Sequence, residues 1–348
     1  MACAIFGGQT AQQRVKGTTI AIKTVTVNKN DAGQRADKFI TKLFPQLPQA
    51  LMYKAFRRKD IKLGGKRCDI STRLCEGDVL TIYIKDELLE ERREREFQYD
   101  FLRASSSLDI AYEDENILIA DKKPGLIVHQ DESYQTDTLI ARIQRYLYEK
   151  GEYNPDAEQS FAPALVNRID RNTGGLVIAA KNAAALRILN EKMKSRQIHK
   201  TYLCIVCGKL SKKEDTLTGY LEKNESQNRV YIDKKPGKNS KTIITKYRVI
   251  AEQPDHSLLE VELLTGRTHQ IRAHLASIGH PLLGDGKYGT NKNNRGSGFS
   301  KQALYSCRLV FDFTSDAEIL NYLSGVEVKA KRIPFAEDFM SNPATKKL

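Results

Sequence analysis

Residues 166–181 read VNRIDRNTGGLVIAAK and place one aspartate between two arginines, just before a Thr-Gly-Gly turn. Residues 176–180 have the length and β-branched content of a buried strand, and residues 172–175 have the composition of a turn. Asp170 is therefore predicted to lie at the edge of a sheet, where a rigid scaffold commonly holds functional side chains. This pattern alone leaves open a simple exposed ion pair between Asp170 and a neighbouring arginine.

The length and charge of the chain set further limits. A single hydrophobic core rarely extends over 348 residues, so two domains are expected. The 56 Lys and Arg against 43 Asp and Glu give a net charge of +13, and an excess of this size favours a polyanionic partner such as nucleic acid. An anionic membrane surface is the alternative, although no stretch has the ~20 apolar residues that a membrane-spanning helix needs.

The N-terminus and the cysteines favour the cytoplasm. Residues 1–23 lack the basic start of a signal peptide and are predicted to be a poorly ordered extension. Six cysteines without an export signal fit a reducing compartment. Cys204 and Cys207 have the spacing of two zinc ligands, but no second pair follows, and in a strand their side chains would point to opposite faces. We therefore expect neither a metal site nor thiol chemistry.

Residues 24–86 are predicted to form a small α+β module. Residues 35–43 and 51–58 have helical spacing, Gly64-Gly65 indicates a hairpin, and alternating apolar residues indicate strands at both ends. The segment holds 13 Lys and Arg against 7 Asp and Glu, which is nearly half of the excess charge. Its basic helix is either a solvated face or a surface that contacts phosphates without reading sequence. The residues expected to line that surface are Lys54, Arg57, Arg58 and Lys62.

The rest of the chain is predicted to form a second, larger domain. The charged segment 87–107 is taken as a linker, residues 108–338 as the domain and residues 339–348 as a tail. Strand-like alternation dominates, and helical spacing appears at residues 137–148 and 183–194. This pattern favours an α+β fold on a mixed, mostly antiparallel sheet.

Five motifs of the second domain occur in the chain order of one enzyme family. They are KPGLIVH at 123–129, RID at 168–170, KTYL at 200–203, GRTHQIRAHL at 266–275 and GHPLLGDGKYG at 279–289. Together they make residues 108–335 resemble the RluA-type RNA pseudouridine synthases. With GQRADKFI, a basic helix, a Gly-Gly-Lys hairpin and EGDVLTIYI, the front segment resembles the RNA-binding domain named after ribosomal protein S4.

The resemblance implies an isomerase that detaches uracil from ribose, turns the base and rejoins it through C5, without a cofactor. It implies that Asp170 is the catalytic carboxylate, acting on either the sugar or the base. Arg272 would pair with this carboxylate, since an arginine stays charged and holds a carboxylate bidentately. Tyr202 would stack on the uracil and take part in removal of the C5 proton.

The same resemblance assigns contacts with RNA. A stacked uridine must flip out to reach the pocket, and Arg168 is expected to contact RNA at that point; a second salt bridge to Asp170 is the alternative. The other pocket residues expected from the motifs are Asn167, His269, Gln270 and Ile271, the last as an apolar wall.

Two departures from the family pattern leave an alternative open. The chain has Asn167 where the family usually has His, and Gly174 where it usually has Ser. They motivate a non-catalytic RNA-binding or ribosome-assembly factor as the second hypothesis. The expected partner is structured RNA, with large-subunit ribosomal RNA favoured and transfer RNA as the alternative. The protein is expected to be a monomer.

Overall fold

The computed structural model describes residues 10–15, 18–85, 99–130, 135–224, 229–290, 294 and 297–348. The chain forms two compact units, each with its own sheet. The first comprises Met1–Leu102, Leu147–Pro163 and Asn182–Ala184; the second comprises Arg103–Tyr146, Ala164–Lys181 and Ala185–Leu348. No helix of the described ranges combines the length and the apolar character that crossing a membrane requires.

The first unit is built on an antiparallel five-stranded sheet. Its strands are β1 (Thr10–Val15), β2 (Thr18–Thr26), β3 (Ile61–Leu63), β4 (Lys66–Arg67) and β5 (Val79–Lys85), in the order β1-β2-β5-β3-β4. Helices α1 (Ala36–Leu43) and α2 (Gln49–Arg58) follow β2 and confirm the predicted helical spacing. The predicted hairpin is also confirmed, because Gly64 and Gly65 both have positive φ, as a two-residue turn between twisted strands requires.

One hydrophobic core holds this unit together. Phe39 and Ile40 of α1, Phe56 of α2, and Ile61 and Ile82 of the sheet are buried in a single cluster. The apolar positions of both helices thus face the sheet, which leaves their basic positions on the opposite side.

The predicted boundaries of the front module differ from the structure in two places. Residues 18–23, assigned to an extension, lie in β2, which pairs with β1 and, from Ile20 onwards, with β5; their Thr and Ile content favours a strand. Leu147–Pro163, assigned to the second domain, belongs to the first unit, where the Gln159 side chain accepts a hydrogen bond from Asn28 N (3.1 Å) and donates one to Thr26 O (2.7 Å). Residues 1–9 and 16–17 lie outside the described residues.

The second unit is built on a larger sheet with twelve strands among the described residues. They are β6 (Ile110–Glu113), β7 (Ile117–Lys122), β8 (Ala164–Leu165), β9 (Gly174–Ala180), β10 (Ile198–Cys207), β11 (Glu214–Asn224), β12 (Arg229–Asp233), β13 (Lys241–Glu252), β14 (His256–Leu263), β15 (Leu304–Phe311), β16 (Glu327–Lys329) and β17 (Lys346–Lys347). The main order is β12-β11-β13-β14-β10-β15-β9-β7-β6. The β9–β15 pair is parallel and the other pairs are antiparallel, which confirms the predicted α+β fold on a mixed, mostly antiparallel sheet.

Beyond the first sheet, the described residues form four further α-helices: α3 (Leu139–Glu149), α4 (Ala183–Lys194), α5 (Gln270–Ser277) and α6 (Pro334–Ser341). The first two confirm the predicted helical segments. Helix α6 continues past residue 338, and β17 pairs with Ala251 and Glu252 of β13, so residues 339–348 are not a loose tail. Of the predicted linker, residues 87–98 lie outside the described residues, and Asp100–Arg103 forms a 3₁₀ helix.

Candidate active site

Asp170 lies on the loop that joins β8 to β9. Its backbone carbonyl accepts a hydrogen bond from Thr173 N (3.0 Å), which closes the predicted turn. The next carbonyl, that of Arg171, accepts hydrogen bonds from Gly125 N (2.8 Å) and from Lys122 Nζ (2.9 Å). The loop is thereby tied to the turn after β7, while the Asp170 side chain stays 24% exposed.

Lys122 is a buried lysine that sequence reasoning missed. The residue is 1% exposed, and its ammonium also donates to the carbonyls of Lys123 (3.1 Å) and Leu126 (2.8 Å). Burial lowers the pKa of Lys122 to about 7, although the charge of Asp170 opposes this shift. The sequence signal was weak, since the residue is one of two adjacent lysines before a Pro-Gly pair.

Arg272, in the first turn of α5, joins two carboxylates. Its Nη1 donates to Asp170 Oδ2 (2.7 Å), while Nε and Nη2 donate to Asp285 Oδ2 (2.7 Å) and Oδ1 (3.0 Å). Asp285 is fully buried and also accepts hydrogen bonds from the backbone N–H groups of Lys287 and Tyr288. The structure thus brings together the predicted Asp170–Arg272 pair and adds Asp285 as the residue that orients the guanidinium.

The charges of this group stabilise one another. Burial opposes the charge of Arg272, but the two carboxylates outweigh burial and hold the pKa of Arg272 above its ordinary value. Burial likewise raises the pKa of Asp285, yet Arg272 outweighs it, so the net pKa of Asp285 lies below its ordinary value. Arg272 and Asp285 are therefore held as a buried ion pair, a geometry in which removal of one partner is costly.

His269 and Tyr288 form the next layer around Asp170. His269 has a left-handed backbone (φ 53°) immediately before α5, with Nε2 at 3.8 Å from Asp170 Oδ2 and Nδ1 at 2.9 Å from Tyr288 Oη. Burial lowers the pKa of His269, and the charge of Arg272 adds to this effect, against the opposing charge of Asp170. The Tyr288 ring also faces the Arg272 guanidinium at 5.2 Å. His269 therefore borders the carboxylate, as expected, and Tyr288 is a residue the motifs did not single out.

Tyr202 lies on β10 and is 4% exposed. A register shift between Thr201 and Tyr202 interrupts the pairing of β10 with β15 at this point. Burial raises the pKa of the Tyr202 phenol, and the charge of Asp170 raises it further. The side chain is consequently a neutral phenol at neutral pH, close enough to Asp170 to sense its charge.

The remaining predicted pocket residues fall into different environments. Asn167 is buried, and its Oδ1 accepts a hydrogen bond from Ile178 N (2.8 Å), which ties the start of the loop to β9. Ile271 is buried in α5, whereas Arg168 is exposed and has no ion pair with Asp170 among the residues the structure describes. The predicted contact of Gln270 with RNA is wrong, because its buried amide is occupied by hydrogen bonds to Thr265, Arg267, Ile244 and Thr245.

In the first unit, the predicted basic surface exists on α2. Lys54, Arg57 and Arg58 are exposed, and their spacing places them on neighbouring positions of one helix face. Lys62 on β3 is half-buried, with its ammonium 5.0 Å from the centre of the Tyr83 ring.

A cationic cavity of about 710 Å³ adjoins Arg272 in the second unit. Among the described residues, its polar lining side chains are Arg229, Arg272, Lys287, Lys301, Asn172, Ser300 and Gln302, and none of them is a carboxylate. The Arg229 guanidinium lies over the rings of Tyr288 (5.2 Å) and Tyr231 (5.8 Å). Its buried Nε has no hydrogen-bond partner within the described part of the chain. Arg229 and Lys287 were not expected from sequence, because β12 and the loop after α5 meet only in the folded unit.

Gly174 is explained by its neighbour Tyr305. A Cβ at position 174 would overlap the Tyr305 ring, and a Cβ at Gly175, which has φ 110°, would overlap the backbone of Ser306. The Gly-Gly pair therefore permits the close parallel approach of β9 to β15. The departure from the family serine at position 174 has a packing cause, and the Asp170–Arg272 contact is present beside it.

Fold and site define an α+β protein whose centre is a carboxylate held by a buried arginine beside a cationic cavity. Residues 116–277 match a family model described as RNA pseudouridylate synthase. An uncharacterised RNA pseudouridine synthase of Mycoplasma genitalium is 31% identical, covering 89% of this chain and 96% of that protein. Ribosomal large subunit pseudouridine synthase C of Escherichia coli (strain K12) is 28% identical, covering 91% and 97%.

A solved structure supports the same fold. Human RNA pseudouridylate synthase domain containing 4 superimposes with a TM-score of 0.52 at 19% sequence identity, over 69% of this chain and 94% of that one. The chain belongs to the RNA pseudouridine synthases of the RluA type, and it is by that membership an RNA-modifying isomerase.

Proposed function

We propose that this protein converts specific uridines of structured RNA, in the first place of large-subunit ribosomal RNA, into pseudouridine, with Asp170 as the catalytic carboxylate. The observation that carries the proposal is the chain of contacts from Asp285 through Arg272 to Asp170 beside a cationic cavity. The similarity to a ribosomal large subunit pseudouridine synthase supports the choice of RNA. Transfer RNA is the alternative substrate.

The geometry leaves one oxygen of Asp170 for the substrate. Arg272 donates to Oδ2, and no described residue donates a hydrogen bond to Oδ1. An oriented carboxylate of this kind acts as a nucleophile. Attack on ribose C1′ would form an ester as the electron pair of the C1′–N1 bond leaves with uracil; attack on the base would form a bond at uracil C6. In either route the C1′–N1 bond breaks, the turned base forms a bond from C5 to C1′, the carboxylate is released, and the proton lost from C5 is balanced by a proton gained at N1.

Tyr202 is assigned to the wall of this pocket. A buried aromatic ring offers a stacking face for uracil. Removal of the C5 proton by the phenol would require its ionised form, and the raised pKa of Tyr202 keeps the phenol neutral at neutral pH. We therefore expect the Tyr202→Phe variant to keep the substrate affinity of wild type. The rate of C5 proton release in this variant measures any further role of the hydroxyl.

Cations of both units are assigned to RNA. The exposed Arg168 is available to contact RNA where the uridine leaves its stack, and the half-buried Arg229, whose Nε has no hydrogen-bond partner among the described residues, offers its guanidinium to a phosphate of the same strand. In the first unit, residues 24–86 are proposed to be an S4-like RNA-binding domain in which Lys54, Arg57 and Arg58 contact phosphates. These contacts would add affinity without sequence preference.

The proposal is tested by tritium release from RNA labelled at uracil C5, with unmodified ribosomal and transfer RNA offered in parallel. Release from ribosomal RNA alone is the expected result. Release from transfer RNA alone would replace the substrate class. Tight binding of both RNAs without release from either would contradict the enzymatic proposal and favour a non-catalytic RNA-binding or ribosome-assembly factor.

A further inference from the structure

The second unit contains another cavity, of about 700 Å³, with a different lining. Its walls are largely apolar and include Ile110, Pro124, Leu304, Phe335 and the ring of Tyr305. Residues 300–302 line both this cavity and the cationic cavity beside Arg272. A strand of RNA that places a uridine at Asp170 therefore has a second recess within reach of its neighbouring nucleotides.

One carboxylate in this lining has an oxygen that accepts no hydrogen bond from a described residue. Asp121 Oδ1 accepts a hydrogen bond from Tyr305 Oη (2.5 Å), and no described residue donates to Asp121 Oδ2. The other acid of the cavity, Asp109, is exposed and paired with Lys123 Nζ at 3.2 Å. Asp121 is thus a half-buried acceptor fixed against an apolar wall.

The recess depends on Gly174. Because that position lacks a Cβ, the Tyr305 ring lies against its backbone and extends its hydroxyl to Asp121. Gly174, Tyr305 and Asp121 come from β9, β15 and β7, so the sheet fixes their relative positions. The glycine that distinguishes this chain from the family pattern therefore lies behind Tyr305, which is part of the cavity wall.

We propose that this cavity takes an unstacked guanine of the RNA substrate, near the target uridine, with Asp121 accepting hydrogen bonds from the guanine Watson–Crick edge. Guanine presents N1–H and the N2 amino group side by side; Asp121 Oδ2 can accept from one, and the second lone pair of Oδ1, beside the hydrogen bond from Tyr305, can accept from the other. Uracil has a single N–H between two carbonyls, and adenine and cytosine pair their amino group with an acceptor that would face the carboxylate. The inference rests on the proposed function, because the guanine belongs to the same RNA.

The remaining lining fits a nucleotide. Apolar and aromatic side chains contact the faces of unstacked bases in single-stranded RNA. Lys301, Lys331 and Arg332 also line the cavity and supply positive charge for the adjoining phosphates. The lining thus combines an apolar wall, a hydrogen-bond acceptor and cations, which are the groups that one nucleobase with its phosphates would contact.

The first test uses free nucleotides as probes, with saturation-transfer NMR on GMP and UMP. Wild type should transfer saturation to GMP more strongly than to UMP, and Asp121→Asn should remove the difference. Asp109→Asn is the matched control, because it removes the same charge from the same cavity and should leave GMP selectivity unchanged. Equal transfer to both nucleotides, or GMP selectivity that survives in Asp121→Asn, would overturn the proposal.

The second test uses RNA. In tritium release from the RNA that the protein modifies, Asp121→Asn should raise KM by about tenfold or more with little change in kcat, as loss of a bidentate base contact predicts. Selective GMP binding with an unchanged KM would mean that the cavity takes a free guanine nucleotide, which contradicts an RNA occupant. If wild type releases no tritium, the proposed function fails, and the GMP experiment still decides whether the cavity binds guanine. Thermal unfolding of each variant shows whether the fold is retained.

Discussion

The arginines on helix α2 and the arginine at the centre of the candidate active site differ in how the protein holds them. Arg57 and Arg58 lie exposed on α2, whereas Arg272 is buried on α5 with three hydrogen bonds to two carboxylates. An exposed arginine can add affinity for phosphates and can be replaced at small cost. A buried arginine that orients a carboxylate cannot be replaced at small cost, because its loss leaves charges unpaired inside the protein. The comparison separates residues that bind RNA from residues that position the chemistry.

The largest expected effect follows removal of the buried arginine. Arg272→Ala leaves Asp285 buried without its partner and should lower the free energy of unfolding by about 3–5 kcal/mol. Turnover should fall by about 100-fold or more, because a displaced carboxylate loses its position against the substrate. Urea unfolding and tritium release measure the two effects. Arg57→Ala is the control, and its free energy of unfolding should differ from that of wild type by no more than about 0.5 kcal/mol. Equal losses of stability and turnover in both variants would contradict the distinction between exposed and buried arginines.

Asp285 should make stability depend on pH. Its pKa in the folded protein lies below the ordinary value, so its contribution is present above the unfolded pKa of about 3.9 and is lost as pH falls through the folded pKa. Wild type should therefore lose more stability between pH 6 and pH 3 than Asp285→Asn does, as urea unfolding at each pH would show. Parallel pH profiles would mean that the Asp285–Arg272 contact contributes no net stability.

Gly174→Ser introduces the residue usual in the family and should be unfavourable here. The new Cβ would overlap the Tyr305 ring, and overpacking of this kind costs about 1–3 kcal/mol. In a double-mutant cycle with Tyr305→Ala, the penalty for the serine should nearly disappear. Thermal unfolding of the four proteins measures the coupling, and strict additivity would show that Tyr305 is not the cause of the departure.

The smallest effect on chemistry is expected from the exposed arginines. Arg57→Ala with Arg58→Ala should reduce the slope of log affinity against log salt by about 1.4–1.8, since each phosphate contact contributes about 0.7–0.9. The kcat should not change. A matched loss of two charges elsewhere, Arg248→Ala with Arg187→Ala, removes arginines that are ion-paired with Glu260 and Glu318. A similar change of slope in that control would show that the effect reflects net charge rather than a surface on α2.

The sequence predicted what depends on local pattern. Helical spacing gave α2 and α4, Gly64-Gly65 gave the hairpin, and the apolar run after the Thr-Gly-Gly turn gave β9. The family motifs also indicated the Asp170–Arg272 pair. Asp285 was missed although it lies in a quoted motif, because an aspartate between glycines in sequence carries no sign of a fully buried bidentate contact.

Other features were beyond local reasoning because they depend on tertiary pairing. The C-terminal strand β17 is a two-residue segment that pairs only because β13 lies beside it. Gln270 sits in a functional motif, yet its amide holds the backbone of β13 rather than RNA. In each case the deciding partner is distant in sequence, and no periodicity of the segment itself records it.

The most direct measurement is single-turnover tritium release with Asp170→Asn, a substitution that keeps the shape of the side chain and removes its charge. The rate should fall by about 10³-fold or more, while RNA affinity should stay within about twofold of wild type. The control variant Asp255→Asn, at an exposed turn, should behave like wild type. A rate within tenfold of wild type would contradict the assignment of Asp170 as the catalytic carboxylate.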